Sequence, residues 1–336
     1  PMNKKIIPVT LSAMLSALCF FGAVLFALGL PAQAQQVGKV YRIGYLSHRA
    51  GPGGSDEAFR QGLRNLGWIE GQNIAIEYRW TARKWDRLPA LIEGLLRLKV
   101  DLIVTKTRRI AQAAKNATTT IPIVMATGSD AVENGLVASL ARPGGNITGM
   151  SEQYSDMHTK LLELLHETLP EVTRVAFLGN PASPTYARTF RKAQAVAPAL
   201  GLTIQSLSLR HAEKLESALE AAAQERAGAL VVPAAMYSRL GHRIARFAVK
   251  NRVPVFSLSS GSVEKHFGLL AYAPDWSDMA RQAATYVDKI LKGAKPWDLP
   301  VQRPAKFRLV VNLKTAKQLG ITIPPNILYQ ATKVIK

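Results

Sequence analysis

Cysteine is nearly absent from this chain. One residue in 336, Cys19, lies inside an apolar run near the start. A single cysteine excludes an internal disulfide framework and a zinc–thiolate cluster. Histidine is sparse as well, with six residues and no metal-ligand spacing among them. Acidic residues are outnumbered, 23 against 43 Lys and Arg, which gives a formal net charge of +20 at pH 7. Such a charge first suggests a nucleic-acid binder. The basic residues are spread along the chain, however, and the aromatics, only 7% of residues, do not cluster into a stacking platform. The excess charge therefore reads as a solvated basic surface, weakly attracted to anionic headgroups and able to draw in anionic ligands. Nucleophile elbows, phosphate loops and dinucleotide fingerprints are also missing. Gly51-Pro52-Gly53-Gly54 is glycine-rich but lacks the lysine and spacing of a phosphate loop. No catalytic, metal or cofactor residues are assigned.

What is present starts with an export pattern. Lys4-Lys5 precede an almost wholly apolar run over 9–30, followed by Pro31 and the small-x-small triplet Ala32-Gln33-Ala34. This reads as a signal peptide over 1–34, cleaved before Gln35, because signal peptidase admits only small side chains there. A run of this length also fits an uncleaved anchor. Leu18, not a small residue, precedes Cys19, which argues against lipidation. Cleavage leaves a chain with no cysteine and therefore no thiolate nucleophile, at home in an oxidising compartment such as the periplasm.

Strand and helix patterns then alternate. Strands are expected at 41–47, 73–78, 100–105 and 121–125, with helices at 56–66, 87–98 and from 106 to 114. A helix is also expected at 131–140, stopped by Pro143, with a short strand at 146–149. The pattern restarts with a helix at 158–169. Strands follow at 174–179, 202–209, 229–233, 253–257 and 268–273. Helices are expected at 185–200, 212–226, 239–250 and 278–291, with a last strand at 306–313 and a short helix at 314–319. Alternation of this kind means parallel sheets with right-handed crossovers. The fold class is α/β, with two doubly wound Rossmann-like lobes joined by a three-crossing hinge. Lobe 1 is expected over 39–149 and 274–298, and lobe 2 over 152–270 and 304–336. No sequence repeat links the lobes.

In doubly wound sheets, ligands bind beyond the carboxyl ends of the strands. In lobe 1 those ends place Ser47, His48, Tyr78, Trp80, Thr107, Arg108, Thr127 and Gly128 at the cleft. In lobe 2 they place Asn180, Pro181, Tyr237, Ser259 and Ser260 there, and Tyr272 and Asp275 flank a crossing. Plainer roles stay open. Asn180-Pro181 can simply turn the chain, Ser259-Ser260 can cap a helix, and Tyr78, Trp80 and Trp85 can pack instead of stacking on a ligand. Asp130 can cap the helix expected after it.

Three segments carry a family resemblance: 119–124, 135–149 (Gly-Leu-Val-Ala-Ser-Leu-Ala-Arg-Pro-Gly-Gly-Asn-Ile-Thr-Gly) and 312–325 (Asn-Leu-Lys-Thr-Ala-Lys-Gln-Leu-Gly-Ile-Thr-Ile-Pro-Pro). With them the chain, over about 40–330, resembles the substrate-binding components of a family of ABC transporters that includes tryptophan and tyrosine importers. The resemblance implies the type I periplasmic-binding fold and a carrier, not an enzyme. It implies a small-molecule ligand (an amino acid, aromatic acid or other carboxylate), a permease and its ATPase subunit as partners, no nucleic acid, and a monomer. An enzyme or a ligand sensor on a similar two-lobed scaffold is the alternative. The chain departs from the family near the cleft. Relatives usually carry Gly-Thr-Pro where this chain has Thr107-Arg108-Arg109, and often glycine where it has Ala273. Lys106 to Arg109 is either a solvated helix start or an added cation aimed at an acidic group, since an arginine fork fits a carboxylate.

Overall fold

Apolar runs of three or four residues form the inner strands of a computed structural model that describes residues 39–336. The signal-peptide reading of 1–34 lies outside the described residues. No helix among the described residues is long and apolar enough to cross a membrane.

The first sheet holds β1 (Tyr41–Ser47), β2 (Ile74–Trp80), β3 (Leu102–Thr105), β4 (Ile123–Met125) and β5 (Ile147–Gly149). Their spatial order is β2-β1-β3-β4-β5 and every pair is parallel. All residues of β3, β4 and β5 are buried, as expected of parallel strands covered on both faces. The covering helices are α1 (Gly54–Asn65), α2 (Leu88–Arg97) and α3 (Arg108–Ala117). The first turn of α1 is fixed by Asp56, whose carboxylate accepts from the Gly53 N–H at 2.7 Å.

The second sheet holds β6 (Arg174–Gly179), β7 (Thr203–Ser208), β8 (Ala229–Val232), β9 (Val255–Ser257) and β10 (Leu270–Pro274). Its order runs β7-β6-β8-β9-β10, then continues to β11 (Phe307–Asn312) and β12 (Lys333–Ile335). The β10–β11 pair is antiparallel. Its helices are α4 (Tyr154–Thr168), α5 (Pro184–Val196), α6 (Leu215–Gln224), α7 (Ala234–Asn251) and the short α8 (Ser260–Lys265). A long α9 (Trp276–Leu291) returns to the first sheet, where Met279, Ala283 and Val287 join Phe59 and Leu63 of α1 in one core. Two short helices, α10 (Leu313–Leu319) and α11 (Pro325–Gln330), end the second lobe before β12.

The chain thus passes between sheets three times: after β5, between β10 and α9, and before β11. These crossings are tied together. Ser151 N–H donates to Gln302 O at 2.8 Å, Gln302 N–H to Gly149 O at 2.9 Å and Asp275 N–H to Lys306 O at 2.9 Å. Gly149 has φ +121, and a Cβ there would lie 2.3 Å from Met125 O. Only glycine fits this point, where β4 and the first crossing nearly touch.

The helix expected at 131–140 does not form. The segment is a run of turns. Asp130 (φ +47) and Gly135 (φ +67) are both left-handed, which no α-helix tolerates. Its helix-like apolar spacing comes from Ala131, Leu136 and Val137 packing into the lobe 1 core from a loop. Asp130 therefore caps no α-helix at 131–140. The helix expected from 158 starts at Tyr154 instead.

Candidate functional site

The carboxyl ends of the strands in both lobes bear the loops singled out from the sequence. In lobe 1 those loops are stitched to one another. Thr81 N–H donates to Ser47 O at 2.9 Å, Ala82 N–H to Arg49 O at 2.9 Å, Arg83 N–H to His48 O at 3.0 Å and Lys106 N–H to Leu46 O at 3.1 Å. Ser47 is fully buried and its hydroxyl accepts from Arg49 N–H at 3.3 Å. His48 is pulled down to a pKa of about 4 by burial, then by Arg83, Arg49 and Lys106, and is neutral at pH 7.

The segment from Lys106 to Arg109 divides its roles. Lys106 is 7% exposed. Its ammonium donates to Ser55 Oγ at 2.8 Å and lies 3.4 Å from Asp56 Oδ1. Burial lowers its pKa despite the Asp56 charge. It is an internal strut, which corrects the solvated reading for this residue. Thr107 caps α3, its hydroxyl accepting from Ile110 N–H at 3.2 Å. Arg109 lies over the Trp85 ring at 4.5 Å. Arg108 is half-buried in the first turn of α3. Burial, then Arg188 of lobe 2 and Arg109, lower its pKa, partly offset by Asp130. Thr127 donates to Lys106 O at 2.7 Å. Gly128 N–H donates to the Glu152 carboxylate at 3.3 Å, and Ser129 Oγ donates to it at 2.7 Å. Glu152 is 5% exposed and burial raises its pKa in spite of these donors.

The aromatic candidates pack on protein. Tyr78 and Trp80 stack at 5.9 Å with an interplanar angle of 1°, and both lie against Tyr45. In lobe 2, Tyr272 stacks on Phe307 at 5.1 Å. Tyr237 is 1% exposed and belongs to the lobe 2 core. Asn180 Oδ1 accepts from Ala182 N–H at 2.9 Å, a local turn carrying Pro181. Ser259 is the residue before α8 and Ser260 its first residue; Ser259 O accepts from Ser262 N–H at 3.0 Å. Asp275 caps α9, accepting from Ser277 and Asp278 N–H at 2.9 Å each.

Two residues were not anticipated from sequence, and the first of them connects the lobes. Arg188, on α5, donates to Asn134 Oδ1 at 3.0 Å and lies 3.9 Å from Asp130 Oδ2. Asp130 is 4% exposed, and its other oxygen accepts from Tyr154 N–H at 2.8 Å. Arg239, on α7, acts on Arg83, whose pKa is lowered by burial, then by Arg239 and Arg49. Nothing in the sequence pattern marks either arginine. A separate cavity of about 330 Å³ is lined by Leu63, Trp68, Glu70 and Ile74. It lies by the amino end of β2, away from the loops just described. No group of three or more His, Cys, Asp or Glu that could hold a metal occurs among the described residues.

A family model described as ABC transporter substrate binding protein matches residues 49–335. The chain belongs to this family. Among curated proteins, a tyrosine-binding protein of Clostridioides difficile (strain R20291) is 26% identical over 268 residues, covering 79% of this chain and 76% of that protein. Among solved structures, the ABC domain from Streptococcus pneumonia in complex with L-Trp is 25% identical with a TM-score of 0.80. A conserved domain protein from Vibrio cholerae is 26% identical, also with a TM-score of 0.80. Each comparison covers 88% of this chain and 100% of the matched chain. The expected fold is thereby borne out as the type I periplasmic-binding fold of ABC substrate-binding proteins.

Proposed function

We propose that this protein is the solute-binding component of an ABC importer, that it takes a small organic molecule bearing a carboxylate between its lobes, and that it hands this molecule to an inner-membrane permease driven by an ATPase subunit. Membership of the substrate-binding family supports the carrier role. The observation that supports the ligand class is the placing of Arg108 in the first turn of α3 on one lobe while Arg188 of the other reaches across to Asn134 Oδ1 at 3.0 Å. A carboxylate between two guanidiniums gains charge-assisted, bidentate hydrogen bonds. The relatives' names supply starting candidates, L-tryptophan and L-tyrosine. Lobe 1 is taken as 39–149 with 274–298 and lobe 2 as 152–270 with 304–336. The signal over 1–34 delivers the protein, as a monomer, to the periplasm. The carrier binds and releases its ligand unchanged, so it is not an enzyme.

A ligand that binds only the native state raises the melting temperature by mass action. A thermal-shift screen against amino acids, aromatic acids and other carboxylates is expected to yield such a ligand. A screen in which neutral or cationic solutes stabilise the protein and no carboxylate does contradicts the proposal.

A further inference from the structure

One contact between the lobes joins protein groups that are each held firmly in place. On lobe 1 the acceptor is the turn from Asp130 to Asn134. Asp130 (φ +47) and Gly135 (φ +67) set its path. Asn134 N–H donates to Asp130 O at 2.9 Å, and Asn134 Nδ2 donates to Ser129 O at 2.8 Å and to Asp130 O at 3.0 Å. With the amide nitrogen so engaged, Asn134 Oδ1 is left as an acceptor. The turn is also bonded to the first crossing. Asp130 N–H donates to Glu152 O at 2.9 Å, Ala131 N–H donates to Ser151 Oγ at 3.1 Å, and Asp130 Oδ1 accepts from Tyr154 N–H at 2.8 Å.

On lobe 2 the donor is Arg188, in the second turn of α5. That helix packs on the lobe 2 core through Tyr186, Phe190 and Ala193, and Lys192, one turn on, pairs with Asp156 of α4. The Arg188 guanidinium donates to Asn134 Oδ1 at 3.0 Å and lies 3.9 Å from Asp130 Oδ2. Asp130 is buried, and Oδ2 makes no hydrogen bond. A carboxylate shut away from water is costly unless a cation stands beside it. Arg188 is that cation while the lobes are together. A rotation that carries α5 away from the turn breaks both interactions at once and lets water reach the groups.

We propose that Arg188, Asn134 and Asp130 form a clasp between the lobes that holds the closed form through protein groups alone. This goes beyond the carrier reading, which needs closure but assigns no such contact to it. A ligand that binds the closed form then meets it already populated, and its apparent affinity rises in proportion.

The test is pulsed electron paramagnetic resonance on the full chain in mild detergent, with no solute added. Cys19→Ser removes the native thiol. Nitroxide labels at Asn116→Cys on α3 and Gln194→Cys on α5, both exposed, report the distance between the lobes. A short-distance population is expected in this background. Arg188→Gln is expected to raise the ratio of long to short distances about ten-fold, as for loss of a hydrogen bond to a charged group. Asn134→Ala is expected to raise it by less, since the Asp130 pair remains, and the double variant no further than Arg188→Gln, because both residues serve one contact. Asn134→Ala reads the contact from the other lobe, so the test does not hang on the folding of one variant. Unchanged distances in variants that melt like wild type overturn the clasp. So does a wild type that is open throughout. A shift to shorter distances in Arg188→Gln also overturns it, and assigns Arg188 to repulsion of Arg108 instead. None of these outcomes touches the carrier reading, because no ligand is involved.

Discussion

The two lobes follow the same path and are furnished differently. The order β2-β1-β3-β4-β5 in the first recurs as β7-β6-β8-β9-β10 in the second, to which β11 and β12 are added. At the carboxyl ends of the strands the likeness stops. The first lobe places Arg49, Arg83, Lys106, Arg108 and Arg109 there. The second places Asn180, Ser259 and Ser260, and brings its charge from helices, through Arg188 and Arg239. The sheet path answers to buried apolar strands and crossover geometry, which many sequences satisfy. The loops are freer to diverge, because less in the fold constrains them.

The sharpest way to break this comparison is at the point where the lobes part. Gly149→Ala would push a Cβ against the Met125 carbonyl at a backbone angle reserved for glycine. It is expected to destabilise the protein by about 3 kcal/mol, read as a drop in denaturation midpoint. A loss within measurement error would show that the crossing repacks freely.

A second variant asks whether the charge in the cleft is shared. Arg108→Ala is expected to weaken the carboxylate ligand ten- to a hundred-fold, from the loss of about 1.5–3 kcal/mol, without unfolding the protein. Arg188→Ala is expected to weaken it as well. An effect confined to Arg108 would assign the binding charge to the first lobe alone. Calorimetric titration of both variants decides this.

The lobes can also be compared through buried histidines. His158 in lobe 2 is 1% exposed, and burial lowers its pKa to about 4, although a hydrogen bond to Tyr154 O resists the shift. His48 in lobe 1 is lowered similarly. The folded pKa lies below the unfolded value of about 6.5, so the unfolded chain binds more protons between the two. Stability therefore falls as pH drops from about 6.5 towards 4, by about 1.4 kcal/mol per pH unit for a fully buried group and by less for the partly exposed His48. Glu152 and Asp130, raised by burial, act in the opposite direction. The useful quantity is thus the difference between wild type and His158→Gln. The variant is expected to show a flatter melting temperature between pH 7 and pH 5. Parallel curves would refute a neutral His158.

The smallest effects concern the caps. Asp275 accepts from two N–H groups of α9 and Thr107 from one of α3. Asp275→Ala is expected to cost about 1 kcal/mol and Thr107→Ala less, by chemical denaturation. The reverse order would place Thr107 in a role beyond capping.

Much of the fold was legible because long periodic segments dominate it. The strand expected at 174–179 coincides with β6, and most helices differ from expectation by a few residues. The segment 131–140 misled because loop residues packed into a core can copy helical spacing. The elements α8, α11 and β12, of three to six residues, are too short for periodicity to register. The site was legible only along the chain. Strand ends placed Ser47, Thr107, Thr127 and Asn180 at or just after the carboxyl ends of β1, β3, β4 and β6. Pattern could not show that Lys106 turns inward to Asp56, that Tyr237 is core, or that Arg188 reaches across to Asn134 and Asp130 of the other lobe.

A carrier of this fold must close around its ligand. Hinged lobes that both contact a bound solute must move together. Small-angle scattering of the protein, alone and saturated with the tightest-binding carboxylate, reads this directly. A fall in the radius of gyration on binding is predicted. Identical scattering curves at saturation would contradict the clamp.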